Sequence, residues 1–473
     1  MRWSLLFALA HGCEQPCVGV GCEEDFGAAR LHIVLGDTLP DSGVLDPTQS
    51  SISLQGTEVE GPDWDVAIDQ GHIIVGTQSD RSVRTYGLES GQDAKTSEAD
   101  GQIVGAHDGD AFGARVTTIR DANGDVDLLV SAPLHSVSAN SRHDGAVYRF
   151  AGMGQGFTGA FDTLNAVLRV TGEESGGRFG SSIAVCPDLD GDGAEEWLSA
   201  TTRANTEKEM AGSVTLFRSQ DLSDAAAQIG MGAVSTTWTG AHTGGLAGHG
   251  LSCRDDLDGD GVPDLLISAP YADSPVPQDA VGAVYMLSGA DLPQPGALSE
   301  QADLVFSGTT ANAWLGFSLA TGDLNGDGLA DVAIGAPGFG EAAGVVRIWM
   351  GSVIQGGGIM GTSIRIEGTS PGDGFGRSVA MADTNGDGLD DLLAGAPFVN
   401  PTGTQDSFDA GYVRLFFGTE TFGDEAATLS SDDADLYFDD PQQYLRTGRR
   451  LFVGDFDGDE RADVALLQRT AED

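Results

Sequence analysis

Six short stretches of this 473-residue chain set carboxylate and carboxamide side chains at alternate positions around glycines. The fullest reads Asp256-Leu-Asp258-Gly-Asp260-Gly-Val-Pro-Asp264, with carboxylates at positions 1, 3, 5 and 9 and the carbonyl of Val262 available at position 7. Hard oxygen donors at that spacing wrap one hard cation. Calcium is favoured because it accepts irregular, oxygen-rich coordination, whereas magnesium holds its waters and zinc prefers histidine or cysteine. The glycines at positions 4 and 6 let the backbone curl round the ion.

Four other loops keep the spacing: Asp188, Asp190, Asp192, Glu196; Asp323, Asn325, Asp327, Asp331; Asp383, Asn385, Asp387, Asp391; and Asp455, Asp457, Asp459, Asp463. In the last of these Glu460 replaces the second glycine. The first loop is shorter, with Asp121, Asn123, Asp125 and then Asp127, and departs from the pattern. A calcium-binding helix-loop-helix would need Glu at position 12, where these loops have Ser199, Ile267, Ile334, Ala394 and Leu466. The expected complement is five or six Ca²⁺ ions with a structural role, each pinning a hairpin and relieving repulsion among its carboxylates.

The elements that carry the loops are short strands. Loop starts are 67, 68, 67, 60 and 72 residues apart, the length of one four-stranded sheet. In the cleanest copy, Ile364-Arg-Ile-Glu-Gly368 alternates as a strand, Gly374-Phe375-Gly376 turns the chain, and Ser378-Val-Ala-Met-Ala382 is a second strand. After the acidic loop, Asp391-Leu-Leu-Ala-Gly-Ala-Pro397 is a third strand stopped by proline, and Gly411-Tyr-Val-Arg-Leu-Phe-Phe-Gly418 a fourth. Phe112-Gly113 and Phe179-Gly180 match Phe375-Gly376, with Leu315-Gly316, His249-Gly250 and Thr447-Gly448 as weaker versions. Ser131-Ala-Pro133, Ser268-Ala-Pro270 and Gly335-Ala-Pro337 match Gly395-Ala-Pro397.

On these residues the chain resembles an array of FG-GAP repeats, the units of the integrin alpha-subunit headpiece, over nearly everything after residue 26. A metal-free copy (Ile52 to Gly56, Trp64 to Ile68, Ile73 to Gly76, Val83 to Gly87) precedes the six, making seven units. The last copy lacks its fourth strand, and Gly27 to Gly36 reads like that missing piece. The expected fold is therefore all-β: a seven-bladed β-propeller of four-stranded FG-GAP blades over 27–473, its ring closed by an N-terminal strand. Closure would also hide edge strands.

Acids outnumber Lys plus Arg by 72 to 24, a formal charge of −48 that repels nucleic acid rather than releasing its counterions. Residues 1–12 read as an export signal, Met-Arg and an apolar stretch from Trp3 to Ala10 followed by His11-Gly12-Cys13. The segment resembles a bacterial lipoprotein signal, which implies lipidation of Cys13; ordinary secretion with Cys13 as a plain thiol is the alternative. Residues 13–26 then form a cysteine-containing tether, with Cys17 and Cys22 close enough to bridge. Cys186 and Cys253 precede consecutive acidic loops and are either a bridge between neighbouring units or two buried thiols. The chain has no apolar run of 18 residues, so no membrane span is expected, and location is the cell envelope or outside the cell.

No Gly-x-Ser-x-Gly elbow, His-Glu-x-x-His pair or Gly-Lys-Ser/Thr loop occurs, and the eight histidines are scattered, so catalysis is not expected. FG-GAP arrays accompany a phospholipase in some proteins, but that would need a further catalytic domain. The resemblance implies instead a cell-surface adhesion or protein-binding module, with a lectin-like, carbohydrate-binding propeller as the alternative. Tyr271, Phe398, Phe408 and His143 lie in long connections on the face expected opposite the metal loops and are candidate ligand contacts.

Overall fold

A computed structural model describes residues 29–469, apart from 41, 46–51, 56–63, 70, 88–92, 96–98, 139–140, 207, 220–227, 232–235, 274–278, 356–362, 400–409, 423–427, 440–445, 458 and 460. The described strands form seven sheets. In the second blade, for example, Val116–Arg120 pairs with Val126–Ala132, that strand with Ala146–Phe150, and that with Leu168–Thr171, all antiparallel. Period-two alternation fits the outer strands, such as Ile364–Glu367, which bury every other residue. The strand after each acidic loop is different. Val126–Ala132, Asp331–Ala336 and Asp391–Ala396 are buried throughout, because each lies mid-sheet with a neighbouring blade packed on either face.

Seven apolar clusters hold the ring together, one for each pair of adjacent blades. One of them joins the last blade to the first through Leu31, Trp64, Ile73, Phe456 and Ala465, which closes the seven-bladed propeller. The N-terminal strand Ala29–Val34 pairs antiparallel with Asp463–Arg469, supplying the piece that the final repeat lacks. It brings a second strand with it: Ile52–Gln55 pairs with Ala29–Val34 and forms the outer strand of the same sheet. Sequence copies and blades are thus offset by one strand. The first strand of each copy becomes the outer strand of the preceding blade, so Ile52 to Gln55 belongs to the last blade and not to the first.

In six of the seven sheets a short fifth strand covers the outer edge. Gly159–Asp162, for instance, leaves the second blade to pair in parallel with Gly101–Val104 of the first, and Gly43–Leu45 crosses from the last blade to Leu436–Asp439 of the sixth. These latches remove open edges and tie neighbours together.

In six of the blades the chain enters the inner strand through a left-handed glycine. Gly113, Gly180, Gly316, Gly376 and Gly448 have φ of 88, 83, 91, 80 and 83°. In the fourth blade that residue is Gly248, φ 90°, and the residue bridged to the preceding blade is Ala247, just as Phe375 is bridged in the sixth. The reading of His249-Gly250 as the Phe-Gly pair is therefore corrected to Ala247-Gly248. His249 sits one position later, where Phe317 and Arg377 sit in their own blades, at the mouth of the ring axis. Cys186 and Cys253 are joined by a disulfide, Cα to Cα 4.8 Å, which links the inner edges of the third and fourth blades.

Candidate metal centres and the opposite face

Four of the acidic loops fold alike, and their hydrogen bonds show why. At Asp256, the N–H groups of Gly259 and Gly261 donate to Oδ1 and Oδ2 at 2.7 and 2.8 Å; Asp258 Oδ1 accepts from Asp260 N–H and Asp260 Oδ1 from Val262 N–H. The same pattern recurs from Asp323, Asp383 and Asp188. Each of these side-chain oxygens is thus held in place by a backbone donor of its own loop. The glycines at positions 4 and 6, such as Gly259 and Gly261 with φ of 84 and 91°, make the curl accessible.

Position 9 has a role that spacing alone did not reveal. Asp264 Oδ2 accepts from Leu257 N–H at 2.7 Å while Oδ1 accepts from Gly289 N–H at 3.0 Å. Asp331 does the same with Leu324 and Gly351, and Asp391 with Thr384 and Gly418. Asp463 joins Phe456 to Gly36, so the N-terminal strand is received in the last blade just as a blade's own third strand is elsewhere. These carboxylates brace the loop against the chain leaving the third strand. The partner is glycine because the approach is close: a Cβ on Gly289 would lie 1.9 Å from the Pro263 carbonyl. A glycine two residues past that strand, at Gly36, Gly152, Gly289, Gly351 and Gly418, was the available signal.

In the third blade Ser219 stands where those loops have that glycine and bonds Asp192 instead, and position 9 is Glu196, one methylene longer, which keeps only the loop half of the brace. Glu196 is fully buried; Oε2 accepts from Leu189 N–H at 2.7 Å, and Oε1 has no hydrogen-bond partner. Burial pushes its carboxyl up to about 7; the Leu189 hydrogen bond opposes that shift, and the charges of Asp190, Asp188 and Asp192 add to it. Burial likewise pushes Asp331 up to about 7, and Asp264, Asp391 and Asp463 up to about 6.

Among the described residues, three groups bring carboxylate oxygens within 4.8 Å of one another: Asp188, Asp190, Asp192 and Glu196; Asp256, Asp258 and Asp260; and Asp455, Asp457 and Asp463. Asp264 and Asp459 stand outside those groups, and the two loops with Asn at position 3 share the hydrogen-bond frame. An all-oxygen donor set and a buried, unpartnered Glu196 oxygen fit a hard divalent cation. When bound, such an ion supplies charge compensation and a cross-link between loop positions.

The first loop is built differently. Asp121 N–H donates to the Asp125 carbonyl and Asp121 Oδ1 accepts from the N–H groups of Asn123 and Asp125, a tight hairpin turn. Asp127 keeps the brace, accepting from Gly152 N–H at 2.7 Å, but its other oxygen accepts from Arg149 Nε at 2.6 Å. A guanidinium takes the place that loop N–H groups occupy elsewhere, and Asp127 is not gathered with Asp121 and Asp125 among the described clusters.

On the face opposite the loops, Tyr271 is wedged between His249 and Trp314, ring centroids 6.5 and 6.1 Å away, and burial raises its hydroxyl pKa. Phe398 packs near Arg377, whose guanidinium carbon lies 5.7 Å from its ring centroid. His143 is exposed in a left-handed conformation, φ 55°. Phe408, Cys13, Cys17, Cys22 and Glu460 lie outside the described residues.

The FG-GAP repeat family model matches residues 253–287, 315–349 and 375–416. Integrin alpha-PS2 of Drosophila melanogaster is 41% identical over 107 residues, 22% of this chain and 7% of that protein. Phosphatidylinositol-glycan-specific phospholipase D of Homo sapiens is 33% identical over 177 residues, 36% of this chain and 20% of that protein. Integrin alpha-4 of Xenopus laevis is 35% identical over 149 residues, 30% of this chain and 14% of that protein. The matches thus span a fifth or less of these relatives' length. A solved structure, the Dos1 propeller, superposes with a TM-score of 0.39 at 11% identity, covering 84% of this chain and 74% of that one. No helix among the described residues is long and apolar enough to cross a membrane.

Proposed function

We propose, from the premise that this chain is an integrin-alpha-like FG-GAP repeat protein, that it is an exported, calcium-stabilised propeller serving as a cell-surface adhesion or protein-binding module. The observation that carries the metal part is the third-blade loop, where four acidic groups converge and a fully buried Glu196 oxygen lacks a hydrogen-bond partner. The residues that would hold ions are those of the five longer loops; the first loop is held by Arg149 instead. Export rests on the N-terminal apolar segment and on a disulfide between Cys186 and Cys253.

Binding is preferred to catalysis because the sequence places long connections at residues 134–144, 201–211, 271–281 and 398–410, and their described aromatic residues Tyr271 and Phe398 stand beside His249, Trp314 and Arg377, away from the acidic loops. The phospholipase D relatives share about a third of this chain and a fifth of their own length, so their reaction is not carried over. Isothermal titration should count five calcium ions per chain, and capture of envelope proteins by the calcium-loaded chain should be lost in chelator. Zero or one ion would refute the metal reading; retention on glycans with no protein captured would assign the carbohydrate-binding alternative.

A further inference from the structure

Neighbouring acidic loops touch one another, and they do so unequally. The residue at position 8, just before the brace carboxylate, meets the preceding blade. In the sixth-blade loop it is Asp390, whose N–H donates to the Asp323 carbonyl at 2.9 Å while its Oδ2 accepts from Asp323 N–H at 2.8 Å. Asp323 is position 1 of the fifth-blade loop, so a reciprocal pair of hydrogen bonds joins the two loops at a residue proposed to hold an ion. Gly322 leaves room for that carboxylate: a Cβ there would lie 2.5 Å from Asp390 Oδ2.

Two further contacts join the same loops. The Leu389 side chain covers position 4 of the fifth-blade loop, since a Cβ on Gly326 would lie 2.5 Å from Leu389 Cδ2. Thr419 N–H donates to the Leu324 carbonyl at 3.0 Å, and its neighbour Gly418 donates to Asp391 Oδ1 at 2.9 Å. Leu389 carries the position 7 carbonyl and Asp391 is position 9. Asp390 therefore stands between two residues that an ion in the sixth-blade loop would fix.

The other junctions have less. Between the sixth and last blades position 8 is Ala462, which donates to the Asp383 carbonyl at 3.0 Å but has no carboxylate to complete the pair. Position 8 is Ala330 in the fifth-blade loop, and Thr321 Oγ1 instead makes a single bond to Asp255, ahead of both loops. In the fourth-blade loop it is Pro263, which has no N–H to give. Glu195 makes the full clamp on Arg120, accepting from its N–H at 2.7 Å and donating to its carbonyl at 3.0 Å, but the loop beyond Arg120 is the short one outside the proposed metal set.

We propose that Asp390 couples the fifth- and sixth-blade loops, so that a divalent cation in the sixth raises the affinity of the fifth, and by linkage the reverse. When the sixth loop is empty, residues 389–391 are less ordered and Asp323 loses fixed partners on both its N–H and its carbonyl; an ion entering the fifth loop must then order Asp323 itself. The proposal rests on the metal reading above and adds that two of the sites act as a pair, with Asp390 as a positioning residue that touches neither ion.

The test uses the full chain with calcium alone as the probe, following hydrogen exchange of residues 323–331 and 383–391 by mass spectrometry through a calcium titration. Asp387→Asn, which weakens the sixth-blade site, should raise the calcium midpoint for protecting 323–331 by about fivefold or more, the lower end of ordinary coupling between sites. Asp327→Asn in the fifth-blade loop should raise the midpoint for 383–391 by the same factor, whereas Asp260→Asn in the fourth-blade loop should move neither. In an Asp390→Ala background D387N should no longer shift 323–331, which separates the clamp from the general field of the acids. If D390A does not fold, the D387N, D327N and D260N midpoints decide. An unmoved 323–331 midpoint in D387N, an equal shift in D260N, or a shift that persists in full in folded D390A would overturn the proposal. Protection of both loops that does not depend on calcium in the unaltered chain would refute the metal reading instead, so the two failures are distinguishable.

Discussion

Arg149 does at the first loop what loop N–H groups do elsewhere: it satisfies the second oxygen of the brace carboxylate. This sets two substitutions apart. Glu196→Gln should lower the titrated calcium count by one, or weaken one site by about tenfold or more, because a charged ligand oxygen is replaced by a neutral one. Arg149→Gln should leave the count unchanged and lower stability in urea unfolding by about 2–3 kcal/mol, somewhat below the range for a fully buried pair because Arg149 is 21% exposed. If R149Q lost an ion and E196Q did not, the assignment of the first and third-blade loops would be reversed. The acidic loops themselves were legible from spacing, since Asp-x-Asp/Asn-x-Asp around glycines predicts a tight turn whose side-chain oxygens accept from the loop's own N–H groups. The brace was not, because nothing local in Asp264 or Gly289 says that a carboxylate will span from one to the other.

For the elements, the left-handed turn glycine decides register. Gly248→Ala would put a Cβ 2.5 Å from Ala200 Cβ at φ 90°, whereas Gly250→Ala meets Ser268 Oγ at 3.0 Å at an ordinary φ. G248A should therefore cost about 1–3 kcal/mol and G250A clearly less, measured by chemical denaturation; equal costs would restore the His249-Gly250 reading. Two glycines flank His249, and only backbone conformation tells them apart, which is why the sequence misplaced the turn. Strand existence was easy to read from alternation in Ile364 to Glu367 and from the apolar run at Asp391. Strand ownership was not, because a strand's pattern states which face is buried and not which sheet it joins. The latches, such as Gly43–Leu45, were hidden for a related reason: three residues pairing by backbone alone need no side-chain signature.

The whole molecule depends on closure. Residues 29–34 and 52–55 supply half of the four antiparallel strands of the last blade, and one of the seven apolar clusters joins that blade to the first. A chain beginning after residue 56 should expose the edge of Asp463–Arg469 and lose its single sharp thermal transition, measured by circular dichroism; a transition as sharp and as high as that of the full chain would show that the ring does not need its N-terminal strands. The proposed metal loops and ring closure meet at Asp463, which holds Gly36 and belongs to the last acidic cluster. Each site saturated a hundredfold above its dissociation constant would contribute about 2.7 kcal/mol. The most direct measurement is scanning calorimetry of the full chain in millimolar calcium and again with excess chelator. The ion-pinned ring should melt several degrees lower once calcium is removed and recover on its return, whereas superimposable transitions would contradict it.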